Sequence, residues 1–156
     1  MTLLLTICLF FLPLLSFAGE LEPAKVNFQC NIHTINKTEG QQTAWPLDGD
    51  FGGYCIILKS KHKNEDVGHM GLLLYRDSHS GHYYAYDMIC PMCYSQGVTQ
   101  SIYMETNLVA RCKRCYGAWQ NIHQGTGNQT NYMGEHWLVT YKAELKGDIL
   151  YISNWD

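Results

Sequence analysis

Gly71-Leu72-Leu73-Leu74-Tyr75-Arg76, then Asp77-Ser78-His79-Ser80-Gly81, then His82-Tyr83-Tyr84-Ala85-Tyr86-Asp87 reads as a strand, a hairpin turn and a second strand. Short apolar runs rich in Leu and Tyr, bounded by Asp, Ser and Gly, are the pattern of buried strands meeting a tight turn. The second strand delivers the chain to Cys90-Pro91-Met92-Cys93. Upstream, residues 47–53 (LDGDFGG) are turn chemistry, because Asp and Gly supply positive-φ positions. Tyr54 to Leu58 then reads as a strand, and Lys59 to Asp66 as a charged loop. Downstream, a hairpin over Val98 to Val109 with Glu105-Thr106-Asn107 at its tip returns the chain to Cys112-Lys113-Arg114-Cys115-Tyr116-Gly117. Trp119 to Ile122 is predicted as a strand and Gly125-Thr126-Gly127-Asn128 as a turn. His136 to Ala143 and Asp148 to Ser153 form a last hairpin around Lys146-Gly147, and Lys25 to Ile35 holds an edge strand. Eleven Tyr, four Trp and fourteen Gly beside only four Pro favour strands and turns. No stretch reads as a helix of more than two turns. The expectation is one all-β domain of antiparallel sheets, with two cysteine loops at one end.

The ends of the sequence set the compartment. Residues 1–18, MTLLLTICLFFLPLLSFA, carry no charged side chain and close on Ser16-Phe17-Ala18. A bilayer span needs about 20 apolar residues, so this shorter run with small residues at the cleavage positions reads as a secretory signal peptide cut after Ala18. An uncleaved anchor is the alternative. The organisation expected is therefore a signal peptide at 1–18, an N-terminal segment with its edge strand at 19–51, and a β domain at 52–156. The product is an exported protein (periplasm, cell envelope or secreted) with no transmembrane anchor after cleavage. A net charge of −3 excludes a nucleic-acid partner, because phosphate binding needs a clustered cationic face. The nearest candidate, Lys59-Ser60-Lys61-His62-Lys63, is diluted at once by Glu65 and Asp66.

The cysteines carry the chemistry. Cys90, Cys93, Cys112 and Cys115 stand as C-x₂-C-x₁₈-C-x₂-C, within the range of four-thiolate metal sites. Two thiolates three residues apart on a tight turn reach one ion, and two such turns facing each other complete a tetrahedron at about 2.3 Å per bond. Pro91 stiffens the first turn and Gly117 frees the backbone past the second. Arg111, Lys113 and Arg114 place positive charge beside the second pair, which lowers thiol pKa. The opposing consideration is the compartment, since paired cysteines outside the cytoplasm oxidise to disulfides. Cys30 and Cys55 read as a disulfide or as buried small residues, apart from the site.

The chain from about Gly52 to Asn154 resembles the Rieske-type iron–sulfur fold. The likeness rests on Gly71 to Arg76 followed by Tyr84-Ala85-Tyr86-Asp87 and Cys90-Pro91 as the approach to a first ligand loop. It continues in Asn107-Leu108-Val109-Ala110-Arg111-Cys112, Cys115 and Gly117 as the second loop, with Trp119 and the Gly125/Gly127 turn behind it. Leu138-Val139-Thr140-Tyr141 and Gly147 to Ile152 stand where that family has its last hairpin. The resemblance implies Cys90 and Cys112 as metal ligands. It departs at the histidines: Met92 holds the first histidine position, Cys115 the second, and Cys93 falls one residue beyond the first. A mixed His/Cys cluster, whose imidazoles raise the potential, does not carry over. Four thiolates on that frame suit a zinc ion, a rubredoxin-like iron or an all-cysteine [2Fe-2S] cluster. The leader has no Lys or Arg before its apolar run, hence no twin-arginine signal, so export unfolded is expected and zinc is favoured over a preassembled cluster.

Three functions follow from these residues. The first is an extracytoplasmic metal-binding domain, structural or electron-transferring, with a redox or envelope protein as partner. The second is a metal-free binding or scaffold module held by disulfides. The third is a thiol–disulfide oxidoreductase using Cys90 and Cys93. His123, eight residues past Cys115, is the one histidine to watch as an alternative ligand. Asp87 reads as a loop cap rather than a base. Asn36-Lys37-Thr38 and Asn128-Gln129-Thr130 are glycosylation sequons in a eukaryotic secretory route. No nucleophile elbow, phosphate-binding glycine loop or spaced carboxylate pair is present, so a structural or electron-transferring role is expected ahead of a hydrolytic one.

Overall fold

The structure is a computed structural model and describes residues 21–35, 42–43, 53–77, 79–106, 108–130 and 136–155. The signal peptide expected at 1–18, most of the turn expected at 47–53, the Asn36 sequon and the hairpin tip expected at Asn107 lie outside them. The described chain is all-β, as the strand-and-turn pattern requires. Its strands are β1 (Val26–Asn31), β2 (Gln42–Thr43), β3 (Gly53–Leu58), β4 (Asp66–Val67), β5 (Gly71–Arg76) and β6 (Tyr83–Asp87), then β7 (Ile102–Thr106), β8 (Val109–Cys112), β9 (Ala118–Gln120), β10 (Asn128–Gln129), β11 (Thr140–Lys146) and β12 (Ile149–Ser153). Between β6 and β7 lies a short helix, α1 (Pro91–Ser95). No helix among the described residues is long and apolar enough to cross a membrane.

Eight strands form one strongly curled, nearly barrel-shaped sheet in the order β2-β3-β5-β6-β11-β12-β1-β4. The other four form a small sheet, β10-β9-β8-β7. All pairings among the described strands are antiparallel. The sequence order explains this division. The chain leaves the large sheet at Asp87, builds α1 and the whole small sheet, and returns at Thr140. The small sheet is thus an insertion between two neighbouring strands, β6 and β11, which pair Tyr86 with Thr140 and Ala85 with Tyr141.

Burial follows the same plan. One apolar cluster fills the curl of the large sheet, with Val26, Ile57, Leu72, Leu74, Leu150 and Ile152 at its centre. A second lies under the insertion and packs Leu73, Tyr86, Ile102, Trp119, Ile122 and Leu138 around the cysteines. Leu72 and Leu74 serve the first while Leu73 serves the second, so β5 is buried on both faces. That is why its sequence reads as a continuous apolar run rather than an alternation. Each buried Leu side chain contributes roughly 1.5–3 kcal/mol. Gly71 at the head of β5 has φ +117°, and a Cβ there would lie 2.1 Å from the Ile57 carbonyl oxygen, so no side chain fits.

Candidate metal centre

The insertion brings Cys90, Cys93, Cys112 and Cys115 together, and their four Sγ atoms lie within 4.8 Å of one another. Two close approaches cross between the loops: Cys90 Sγ to Cys115 Sγ at 3.5 Å, and Cys93 Sγ to Cys112 Sγ at 3.7 Å. Sulfurs around a tetrahedral ion at about 2.3 Å per bond lie about 3.8 Å apart. The four side chains fit a single four-coordinate ion. Three of the cysteines are buried and Cys115 is half-exposed.

Each loop holds its sulfurs by a different device. The first is helical: Cys90 is the N-cap of α1, Pro91 opens the helix, and Cys93 N–H donates to Cys90 Sγ at 3.3 Å. Proline suits the first helical position because its fixed φ is already helical and its missing N–H is not needed there. The second loop follows β8 directly. Arg114 N–H donates to Cys112 Sγ at 3.4 Å and Gly117 N–H to Cys115 Sγ at 3.4 Å. The turn closes with Cys112 N–H on the Gly117 carbonyl at 2.9 Å and Tyr116 N–H on the Cys112 carbonyl at 3.0 Å. Tyr116 takes a left-handed φ of 58° to make it. At Gly117 a Cβ would lie 2.8 Å from the Trp119 ring and 3.3 Å from Cys115 Sγ, so the glycine lets the indole press against the loop.

The electrostatics correct one sequence expectation. Burial pushes the Cys90 thiol well up and Cys93 up to about 11. Burial also opposes ionisation of Cys112, but the backbone N–H groups of Cys115 and Arg114 outweigh it and bring that thiol below its ordinary value. Backbone amides lower the pKa, where the sequence pointed to basic side chains. Arg111 is turned away to Glu105 at 2.7 Å, and the Lys113 ammonium stands 5.3 Å over the Tyr103 ring.

Asp87 sits at the base of the insertion, fully buried. It accepts from the backbone N–H groups of His69 at 2.7 Å, Met70 at 3.3 Å and Ile89 at 2.9 Å. The loop-capping role read from sequence holds, and it reaches further than expected, into the residues just before β5. His123 falls in a 3-10 turn and outside the ligand group, and its Nδ1 is buried without a partner. Met92 packs against the apolar cluster around the cysteines. Cys30 and Cys55 stand outside the site, half-buried and fully buried. No disulfide occurs among the described residues, so the disulfide reading of that pair is not realised. Asn128 of the second sequon accepts from the Thr126 hydroxyl at 2.7 Å. Comparison with protein-family models, curated proteins and solved structures gives no match for this chain.

Proposed function

We propose that this chain is an exported, Rieske-like β domain in which Cys90, Cys93, Cys112 and Cys115 hold one zinc ion as a structural centre. The observation that carries the reading is the closeness of the four sulfurs, all within 4.8 Å. A [2Fe-2S] core stands between two pairs of thiolates and holds the pairs apart. Four sulfurs closing on a single point fit one ion and leave no room for two bridged irons. The Rieske-like frame is supported by the insertion, in which one β domain lends two cysteine loops from between neighbouring strands. The family's cluster is not supported, because neither of its histidines is present. Zinc is favoured over iron because the chain is read as threaded unfolded out of the cytoplasm, so it meets its metal afterwards.

The role is structural. A four-thiolate zinc site has no open position, so it does not activate water. It fastens the helical loop to the loop after β8. Metal analysis and visible absorption of the purified protein test this. One equivalent of zinc in a colourless protein is the expected result. A red protein with one iron would move the reading to rubredoxin-like electron transfer, and iron with acid-labile sulfide would overturn the single-ion site.

A further inference from the structure

The four cysteines of the proposed zinc site are divided by the chain into Cys90/Cys93 and Cys112/Cys115, and two of their sulfur contacts run across that division. Cys90 faces Cys115 at 3.5 Å, and Cys93 faces Cys112 at 3.7 Å. These are opposite edges of the sulfur tetrahedron, and each joins one loop to the other. Four cysteines allow three pairings. Within the first loop, Cys90 Sγ is occupied by the Cys93 backbone N–H, while the Cys93 sulfur is directed across to Cys112.

We propose that the centre is oxidant-sensitive, and that on oxidation it closes into two crossed disulfides, Cys90–Cys115 and Cys93–Cys112, with release of the metal. The inference rests on the zinc reading for the ion released, but not for the pairing. The oxidant is a peroxide. Cys115 is the half-exposed sulfur of the four, so peroxide meets it first. One oxygen of the peroxide transfers to Cys115, giving a sulfenic acid and one water. Cys90 then attacks the Cys115 sulfur, the S–S bond forms, and the second oxygen leaves as water. A second peroxide closes Cys93 on Cys112 in the same way. The four thiolates lose four electrons to two peroxides, four protons are taken up, and one divalent ion and four waters leave. Crossed disulfides keep the two loops fastened to each other after the metal has gone. Pairs within each loop would separate them. The redox change would therefore exchange one fastening of the insertion for another.

The sequence allows a direct test. Cyanogen bromide cleaves after Met88, Met92 and Met104, which separates Cys90 from Cys93. Trypsin cleaves after Arg111, Lys113 and Arg114, which separates Cys112 from Cys115. The protein as isolated is treated with hydrogen peroxide, blocked, cleaved with both reagents and analysed by mass spectrometry, while a chromophoric chelator follows zinc. The expected products are the Cys90–Cys115 and Cys93–Cys112 peptides, the first alone at limiting peroxide, with one equivalent of zinc released. Zinc release with Cys90–Cys93 and Cys112–Cys115 pairs overturns the crossed pairing and keeps the zinc reading. Crossed pairs from a protein that held no zinc keep the pairing and overturn the zinc reading. Sulfinic acids in place of disulfides overturn the proposal.

Discussion

The Tyr141 hydroxyl donates to Asp87 Oδ2 at 2.8 Å, joining residues 54 apart in sequence. Asp87 ends β6, where the chain leaves the large sheet, and Tyr141 stands at the start of β11, where it returns. The bond ties the neck of the insertion that carries the cysteines. Asp87→Ala takes the acceptor from three backbone N–H groups, that of Ile89 buried and those of His69 and Met70 part-buried, and from the buried phenol, and is expected to cost about 3–5 kcal/mol. Tyr141→Phe removes one donor and is expected to cost about 1–2 kcal/mol. Urea unfolding measures both. Equal costs for the two substitutions would mean that the backbone N–H contacts to Asp87 contribute nothing.

Metal loss should be cooperative. Serine at any one of Cys90, Cys93, Cys112 or Cys115 leaves three thiolates, and a structural zinc site contributes roughly 10 kcal/mol when complete. Each single variant is therefore expected to lose bound metal and to destabilise the insertion nearly as much as the fourfold variant. Cys30→Ser and Cys55→Ser should keep one equivalent. Additive losses across the four single variants, read by metal content and thermal unfolding, would count against a shared ion.

Alkaline pH should open the fold through two phenols. Burial, aided by the charges of nearby groups, raises the pKa of both Tyr86 and Tyr141. Tyr86 also donates to the Ile122 carbonyl at 2.6 Å, a bond that holds the β9–β10 connection to β6. The native pKa lies above the unfolded value of about 10, so the fold favours the neutral phenol. Stability from this source is full below pH 10 and falls as pH rises above it. Ultraviolet absorbance of tyrosinate should show two of the tyrosines ionising only as the protein unfolds. A single reversible titration of all tyrosines in a folded protein would contradict this.

Three glycines should rank by what surrounds them. Gly71→Ala drives a methyl into the Ile57 backbone and is expected to destabilise by more than about 3 kcal/mol. Gly117→Ala presses on the Trp119 ring and Cys115 Sγ, and should weaken metal binding more than it lowers overall stability. Gly147→Ala meets nothing within 4 Å and bears only the strain of its φ of +60°, roughly 1–2 kcal/mol. Thermal unfolding with and without chelator separates the three, and a Gly117→Ala protein with undiminished zinc affinity would refute the ranking.

Much of this was legible in the sequence where local signals agreed. The β5–β6 hairpin and the β7–β8 hairpin announce themselves by apolar runs meeting Asp, Ser, Gly and Thr. The cysteine spacing named the four ligand candidates without help. The last hairpin shifted: the strand expected from His136 begins at Thr140, because Leu138 turns into the core with its N–H on the Gly127 carbonyl. It then runs on to Lys146, where Glu144 lies between Lys142 at 2.9 Å and Lys146 at 3.4 Å. The strand expected at Trp119 to Ile122 stops at Gln120, since Asn121 takes a left-handed φ of 57° and a 3-10 turn follows. β4, two residues in a charged stretch, is too short for periodicity and exists because Val67 is fully buried beside β1. The helical form of the first cysteine loop left only Pro91 as a signal.

The strand order has a consequence for how the chain comes together. β1 lies between β4 and β12, and its neighbours in the larger ladder sit at the far end of the sequence. Val26 N–H reaches Asn154 Oδ1 at 2.8 Å across 128 residues, and the Asn154 amide donates to the Ala24 carbonyl at 2.8 Å. A nascent chain emerging amino end first therefore shows Val26 and Phe28 to water long before Ile149 to Ser153 exist. Until then β1 has the two-residue β4 ladder and little else. Pairing over such a distance is slow. If the chain is exported as proposed and drawn lengthwise through a channel, that delay is an advantage: the curl cannot shut, and so cannot jam the passage, until its final strand has come through.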